Sequence, residues 1–259
     1  MVKSLVSRVW LPVLASFTYL FLYLPIIVLI FLSFNASDFP FKWDGFTLKW
    51  YASLLHEPEL FIALKNSLLV ALTSVALSLV MGLLFVYCGW QYRLYRFMPA
   101  FLAAVALPEI VLAVGLLSFF SFFSVPLGLT TLIVGHTLLG LSFVIPIIRT
   151  QFLELDYSLT EASLDLGASE AQTFFKIILP LLSPALVAGG LLVFILSLDD
   201  FLISFFCSGP TSQTLSLYIF GMIRLGVSPT INALSTMLLA ISSLLVIAFC
   251  SLNISNRGL

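Results

Sequence analysis

Three carboxylates stand inside apolar runs of this chain. Glu109 lies within FLAAVALPEIVLAVGLL, and Asp199 and Asp200 lie side by side within LLVFILSLDDFLISFF. An acid at the centre of a membrane helix costs about 2.5–3.5 kcal/mol on insertion scales, so each should face a wet path or a partner. No Lys or Arg falls at comparable depth in the sequence to neutralise them. A permeation path lined by uncompensated carboxylates favours cations. Neighbouring residues on a helix point about 100° apart, so Asp199 and Asp200 are expected to divide two jobs. One lines the path, and the other accepts hydrogen bonds from a neighbouring helix. Pro108, directly before Glu109, is expected to kink its helix and to free a carbonyl toward the same region.

A second group of polar residues lies between apolar runs. EASLDLGASEAQTFFKIILP, at 161–180, carries Glu161, Asp165, Glu170 and Lys176, in a chain of which only 9% of residues are charged. Ser158 or Thr160 can cap a helix start here, with Glu161 three residues past Ser158 as in a capping box. Gly167 interrupts a good helix at a cost of about 1 kcal/mol relative to Ala, which indicates a turn or a close backbone approach. Pro180 fits the first turns of a following span, where its missing N–H costs little. The expected shape is a short helix, a bend, and a return to the membrane.

The elements that position these residues are legible in the composition. Of 259 residues, 61% are hydrophobic, whereas a soluble domain would carry about a quarter charged residues. Six runs are long enough to span a bilayer, near 11–33, 66–88, 97–123, 127–150, 177–205 and 230–252. They should be helices, because lipid offers backbone groups no partner. The chain is thus expected to be an all-α membrane protein forming one transmembrane domain over 1–259, with a cytoplasmic connection at 151–176. Leu11 to Phe34 is too long for a signal-peptide core and reads as a retained first span. With both termini cytoplasmic, inside segments hold Lys3, Arg8, Arg93, Arg96, Arg149, Lys176 and Arg257, against Lys42, Lys49, Lys65 and Arg224 outside. That excess sets the orientation. In the outward loop, Phe46, Trp50 and Leu54 recur at four-residue spacing and suggest a short amphipathic helix in the interface.

Net charge is −1, so no basic field points to nucleic acid. Cys88, Cys207 and Cys250 are dispersed, and His56 and His136 have no partner at metal-ligand spacing, so no metal site is expected. Both histidines read as structural. No G-x-x-x-x-G-K-[ST] loop is present, and none of the five lysines follows a glycine, so ATP has to bind elsewhere.

Residues 161–180 resemble the EAA loop of ABC-importer permeases, whose pattern is EAA, three residues, Gly, nine residues, Ile, one residue, Leu-Pro. Glu161, Ala162, Gly167, Ile177, Leu179 and Pro180 fall in register, and Ser163 replaces the third Ala. The resemblance implies the type I importer permease fold in a bacterial inner membrane and no catalysis by this chain. It also implies docking of this segment on an ABC ATPase dimer that binds ATP and Mg. A homologous permease subunit, forming a heterodimer, and a periplasmic substrate-binding protein complete the implied machine. The run SLDDFLISFFCSGP, with Arg224, Gly226, Pro229, Asn232, Ala233 and Leu234 beyond it, is similar to the spermidine/putrescine branch. That likeness implies polyamine cargo near Glu109 and Asp199. A flexible polycation suits spaced carboxylates and aromatic faces, for which Tyr218, Phe205 and Phe206 are candidates. Sister branches carrying another cation, an aminophosphonate or a ferric complex share the loop. An ion-coupled secondary transporter using the acids as proton or cation sites is the alternative from another class.

Overall fold

The computed structural model describes the backbone of residues 2–38, 42–92, 94–226 and 228–257, and the side chains among them except at 2–9, 90–94 and 245–257. The side chains of Lys3, Arg8, Arg93 and Arg257, which enter the charge count, therefore lie outside the described residues. Helices follow one another as α1 (Val2–Leu32), α2 (Lys49–Leu55), α3 (Pro58–Tyr92), α4 (Met98–Ala106), α5 (Glu109–Phe122) and α6 (Leu129–Leu153). Then come α7 (Tyr157–Asp165), α8 (Glu170–Thr173), a π-helical turn at Phe174–Ile178, α9 (Leu179–Asp199), α10 (Leu202–Cys207), α11 (Leu215–Leu225) and α12 (Pro229–Arg257). Among the described residues the sole extended pairing joins Asn35 to Phe46.

Four helical stretches are long and apolar enough to cross a membrane: Trp10–Leu32, Pro58–Gly89, Leu129–Leu153 and Glu170–Asp199. The expected third span, 97–123, is not one straight helix. It breaks into α4 and α5, which bend by 112°, and counting the bent pair gives five spans. The cause is local. Pro108 offers no N–H to the preceding turn, and Leu107 before it takes an extended conformation (φ −73°, ψ 141°), as residues before proline do. The expected sixth span coincides with α12, whose described apolar part is Pro229–Leu244.

The chain forms two compact units. One comprises residues 1–58 and 219–259, with α1, α2 and α12. Its loop is organised by Asn35, which donates to the Lys42 carbonyl (2.7 Å) and accepts from the Ser37 and Asp44 N–H groups. Trp50 Nε1 donates to the Asn35 carbonyl at 2.8 Å, and Ser33 and Tyr51 share a hydrogen bond of 2.6 Å. Of the four-residue repeat, Phe46 lies outside the helix and stacks on Phe34, while Leu54 is buried. This loop is therefore a folded cap on its own unit.

The second unit, residues 59–218, holds the three acids and the segment 161–180. Its centre is α6, which packs against α9, α4 and α10. Val144, Ile145, Ile148, Leu182 and Val193 fill one core, while Ala113, Leu116, Phe120, Leu132, Ile203 and Cys207 join α5, α6 and α10 in another. Gly140 sets the spacing of α6, because a Cβ there would strike the Ser78 hydroxyl and approach Val193 Cγ1 to 2.9 Å.

An acidic cleft between two helix breaks as the candidate functional site

The expected fifth span, 177–205, is interrupted as well. It continues as helix to Asp199, turns at Asp200 (φ −60°, ψ 126°), and resumes as the short α10. Because α10 packs against α5, the two interruptions face each other. Irregular backbone at membrane depth is tolerated where it is buried in protein or lines a cavity. Here it does both. Glu109 is the first residue of α5, and Asp199 and Asp200 sit at the end of α9. All three line a cleft of about 300 Å³ whose remaining wall is mostly apolar, including Leu107, Leu112, Phe143 and Phe201. That volume is at the small end of ligand pockets, which run roughly 300–1,000 Å³.

Both adjacent acids line the cleft, and they differ in burial. Asp199 is exposed and Asp200 is 4% exposed, because the chain leaves the helix between them. The Asp200 carboxylate accepts the backbone N–H groups of Ile203 (3.2 Å) and Ser204 (2.8 Å), so its hydrogen bonds come from the next element of its own chain. Ser216 Oγ donates to its carbonyl at 2.6 Å. Glu109 reaches the Asp200 carboxyl from the opposite break. The carbonyl of Pro108 itself accepts from Val111 and Leu112 and caps α5. What proline withholds is an N–H toward the preceding turn, where Ala104 is part of the cleft wall.

Tyr218 is brought elsewhere. It is buried in α11 and does not line the cleft, and Phe205 and Phe206 do not line it either. His136 is the residue that sequence reasoning passed over. Its ring, 2% exposed, lies 2.6 Å from Ser197 Oγ through Nδ1 and 3.3 Å from Asp200 Oδ2 through Nε2. The signal was available, because an ionisable side chain inside a membrane span is a functional candidate in its own right. The ion pairs made by lysines among the described residues, Lys42–Asp44 and Lys49–Asp38, lie in the loop after α1, away from these acids in sequence.

At the other end of α9 the segment 157–180 folds as a helix, a turn and a helix. Its N-cap is Asp156, not Ser158 or Thr160: the carboxylate accepts the Ser158 N–H at 3.0 Å. Hydrogen bonds from Ser158, through its side chain and its backbone, hold the Asp156 carboxyl below the usual carboxylate range. Gly167 makes the turn after α7 at φ +85°, and nothing lies within 4 Å of where its Cβ would be. A turn, not a close approach, explains it. Gly167 N–H bonds to the Leu164 carbonyl (2.9 Å) and Ala168 N–H to the Ser163 carbonyl (3.1 Å), the Schellman pair that closes a helix C-terminus. Ser163 Oγ, at the departure from the EAA pattern, pairs with Thr173 Oγ1 at 2.9 Å, and both residues are buried. Glu161, Ala162, Leu164 and Leu166 remain exposed.

Pro180 is the second residue of α9, in its first turn as expected. Helix runs on from Glu170 to Asp199 through the π turn just before the proline. Leu179 N–H bonds to the Phe174 carbonyl five residues back. Ile178 is buried in the α6–α9 core, with Ile177 and Leu179 half-buried beside it and Pro180 exposed.

Apolar helices that enclose an acidic cleft define a helical membrane transport subunit, and comparison with known proteins agrees. The fold matches a chain of the crystal structure of a bacterial ABC transporter involved in the import of the acidic polysaccharide alginate. The TM-score is 0.72 over 95% of this chain and 96% of that one, and at 17% identity the likeness shows the fold alone. Residues 75–259 match the binding-protein-dependent transport system inner membrane component family, and the chain belongs to that family. It is 41% identical over 233 residues to the spermidine/putrescine transport system permease protein PotC of Escherichia coli K12, covering 89% of this chain and 88% of that protein. It is 32% identical over 240 residues to the putrescine transport system permease protein PotI of the same strain, covering 89% and 85%. The chain is therefore an ABC-importer permease subunit, and the ion-coupled alternative falls away.

Proposed function

We propose that this permease carries polyamines into the cytoplasm by alternating access, with the acidic cleft on the substrate path. The observation that carries the reading is the meeting of Glu109, Asp199 and Asp200 at two facing helix breaks. Like charges held close in a low-dielectric wall repel unless a cation lies between them. A slender polyammonium chain supplies several such charges and fits a narrow, mostly apolar cleft. The similarity to spermidine/putrescine and putrescine permeases supports the same cargo.

In this reading both termini and residues 151–176 face the cytoplasm, a periplasmic binding protein delivers the substrate, and a homologous permease supplies the other half of the path. ATP and Mg bind on a partner ATPase dimer. The exposed Glu161, Ala162, Leu164 and Leu166 form the patch that docks there. Movement of α7 passes through Gly167 and the Ser163–Thr173 contact into α9, a rod of 21 residues, about 30 Å long, that ends at Asp199. The bilayer holds the remaining apolar helices.

The test is reconstitution of the assembled importer in liposomes with labelled spermidine or putrescine on the binding protein. ATP-dependent accumulation is expected. Glu161→Lys is expected to lose both ATPase copurification and uptake. Full uptake with an undocked ATPase would sink the coupling assignment, and accumulation of neither polyamine would sink the cargo.

A further inference from the structure

Against the cleft-lining Asp200 lies a side chain that the transport reading leaves idle. His136 sits on α6 where that helix is pressed against α10, since a Cβ at the preceding Gly135 would come within 2.7 Å of Ile203 Cγ2. The imidazole itself is 2% exposed and enclosed by protein. Ser197, one helical turn before Asp200 on α9, holds Nδ1 at 2.6 Å. Nε2 is buried without an aligned hydrogen-bond acceptor, and Asp200 Oδ2 lies 3.3 Å from it. A carboxylate only accepts, so it is Nε2 as a donor that suits this approach, whichever role the Ser197 hydroxyl takes at Nδ1. Oδ2 also accepts the Ser204 N–H, and Oδ1 accepts that of Ile203. A carboxylate has about four acceptor positions. Two accept backbone N–H groups, His136 Nε2 faces a third at 3.3 Å, and one is left toward Glu109.

We propose that His136 is a positioning residue of the cleft: clamped by Ser197, it fixes the Asp200 carboxylate in the wall so that Glu109 and Asp199 meet the cationic substrate. This rests on the cleft being the polyamine path. An amide at the end of a Gln side chain reaches the place of Nε2, whereas that of Asn reaches only the place of Nδ1. His136→Gln keeps a donor toward Asp200, and His136→Asn removes it.

The experiment uses the complete importer in liposomes and compares wild type, H136Q, H136N, D200N and H136N/D200N. Readouts are ATP-driven spermidine uptake per ATP hydrolysed and thermal unfolding of each purified complex. H136N is expected to lower uptake about tenfold or more, the cost of leaving a buried carboxylate without the donor that faces it. H136Q should stay within about threefold of wild type, and H136N should add nothing in the D200N background. Equal damage from Gln and Asn, or losses that multiply with D200N, overturns the proposal. If H136N does not assemble, Ser197→Ala takes its place, with a partial loss expected that vanishes in D200N; a loss undiminished there overturns it. If wild type imports no polyamine, the cargo reading fails on its own. The unfolding temperatures then decide: coupling between positions 136 and 200 upholds the contact, and strict additivity overturns it.

Discussion

Replacing Gly167 by Ala isolates the turn that joins α7 to the helix running from Glu170 through α9. The residue stands at φ +85°, and no atom lies within 4 Å of a Cβ built there, so crowding contributes nothing. What remains is the left-handed backbone, which costs an L residue about 1–2 kcal/mol. On a locally folding element that free energy lowers the ratio of closed to open turn by a factor of roughly 5–30. The element is vulnerable, because α7 has only nine residues and its C-terminal turn rests on the Gly167 and Ala168 N–H bonds. Uptake and ATPase retention by the G167A complex should fall together, within that range, while the apolar helices keep their unfolding temperature. G167N should be milder, since Asn tolerates this conformation. If Ala and Asn behave alike at wild-type level, or if damage grows with side-chain size, the turn is not what the glycine provides.

Three further outcomes follow from neighbouring contacts. Ser163→Ala leaves Thr173 Oγ1 buried without its partner and should destabilise the segment by about 1–3 kcal/mol, with much of the loss recovered in S163A/T173A; thermal unfolding of the four proteins gives the cycle. Gly140→Ala should destabilise the second unit by about 1–3 kcal/mol, because the methyl meets Ser78 and Val193 between packed helices; an unchanged unfolding temperature contradicts that packing. The Asp156 cap has its folded pKa lowered, so its stabilisation is complete above the ordinary value of 3.8 and is lost as pH falls through the lower folded one. Amide exchange at Ser158 should accelerate over that acid range in wild type, and Asp156→Asn should remove the pH step while keeping the acceptor.

Apolar run length made the helices legible, and fixed spacing identified the segment at 161–180 with its six matching positions. Three features were not legible, each because it depends on what another element supplies. Pro108 signalled a kink, but the 112° break also rests on α4 packing against α6 and α5 against α10. Pro180 marked the first turn of α9, but the π turn that joins α8 to α9 ahead of it has no composition of its own. His136 looked isolated because its partners Ser197 and Asp200 are more than sixty positions away in sequence. That Asp199 and Asp200 would differ was legible from their adjacency, and which of them is buried required knowing that α9 ends between them.

The central claim is that the acids at the two breaks form the substrate path, and polyamine uptake by charge-neutralised variants tests it most directly. In the reconstituted importer with a saturated binding protein, Glu109→Gln and Asp199→Asn should each cut the spermidine and putrescine uptake rate about tenfold or more, the weight of one lost charge-assisted contact, with complex assembly intact. Wild-type uptake rates in both variants would contradict the account.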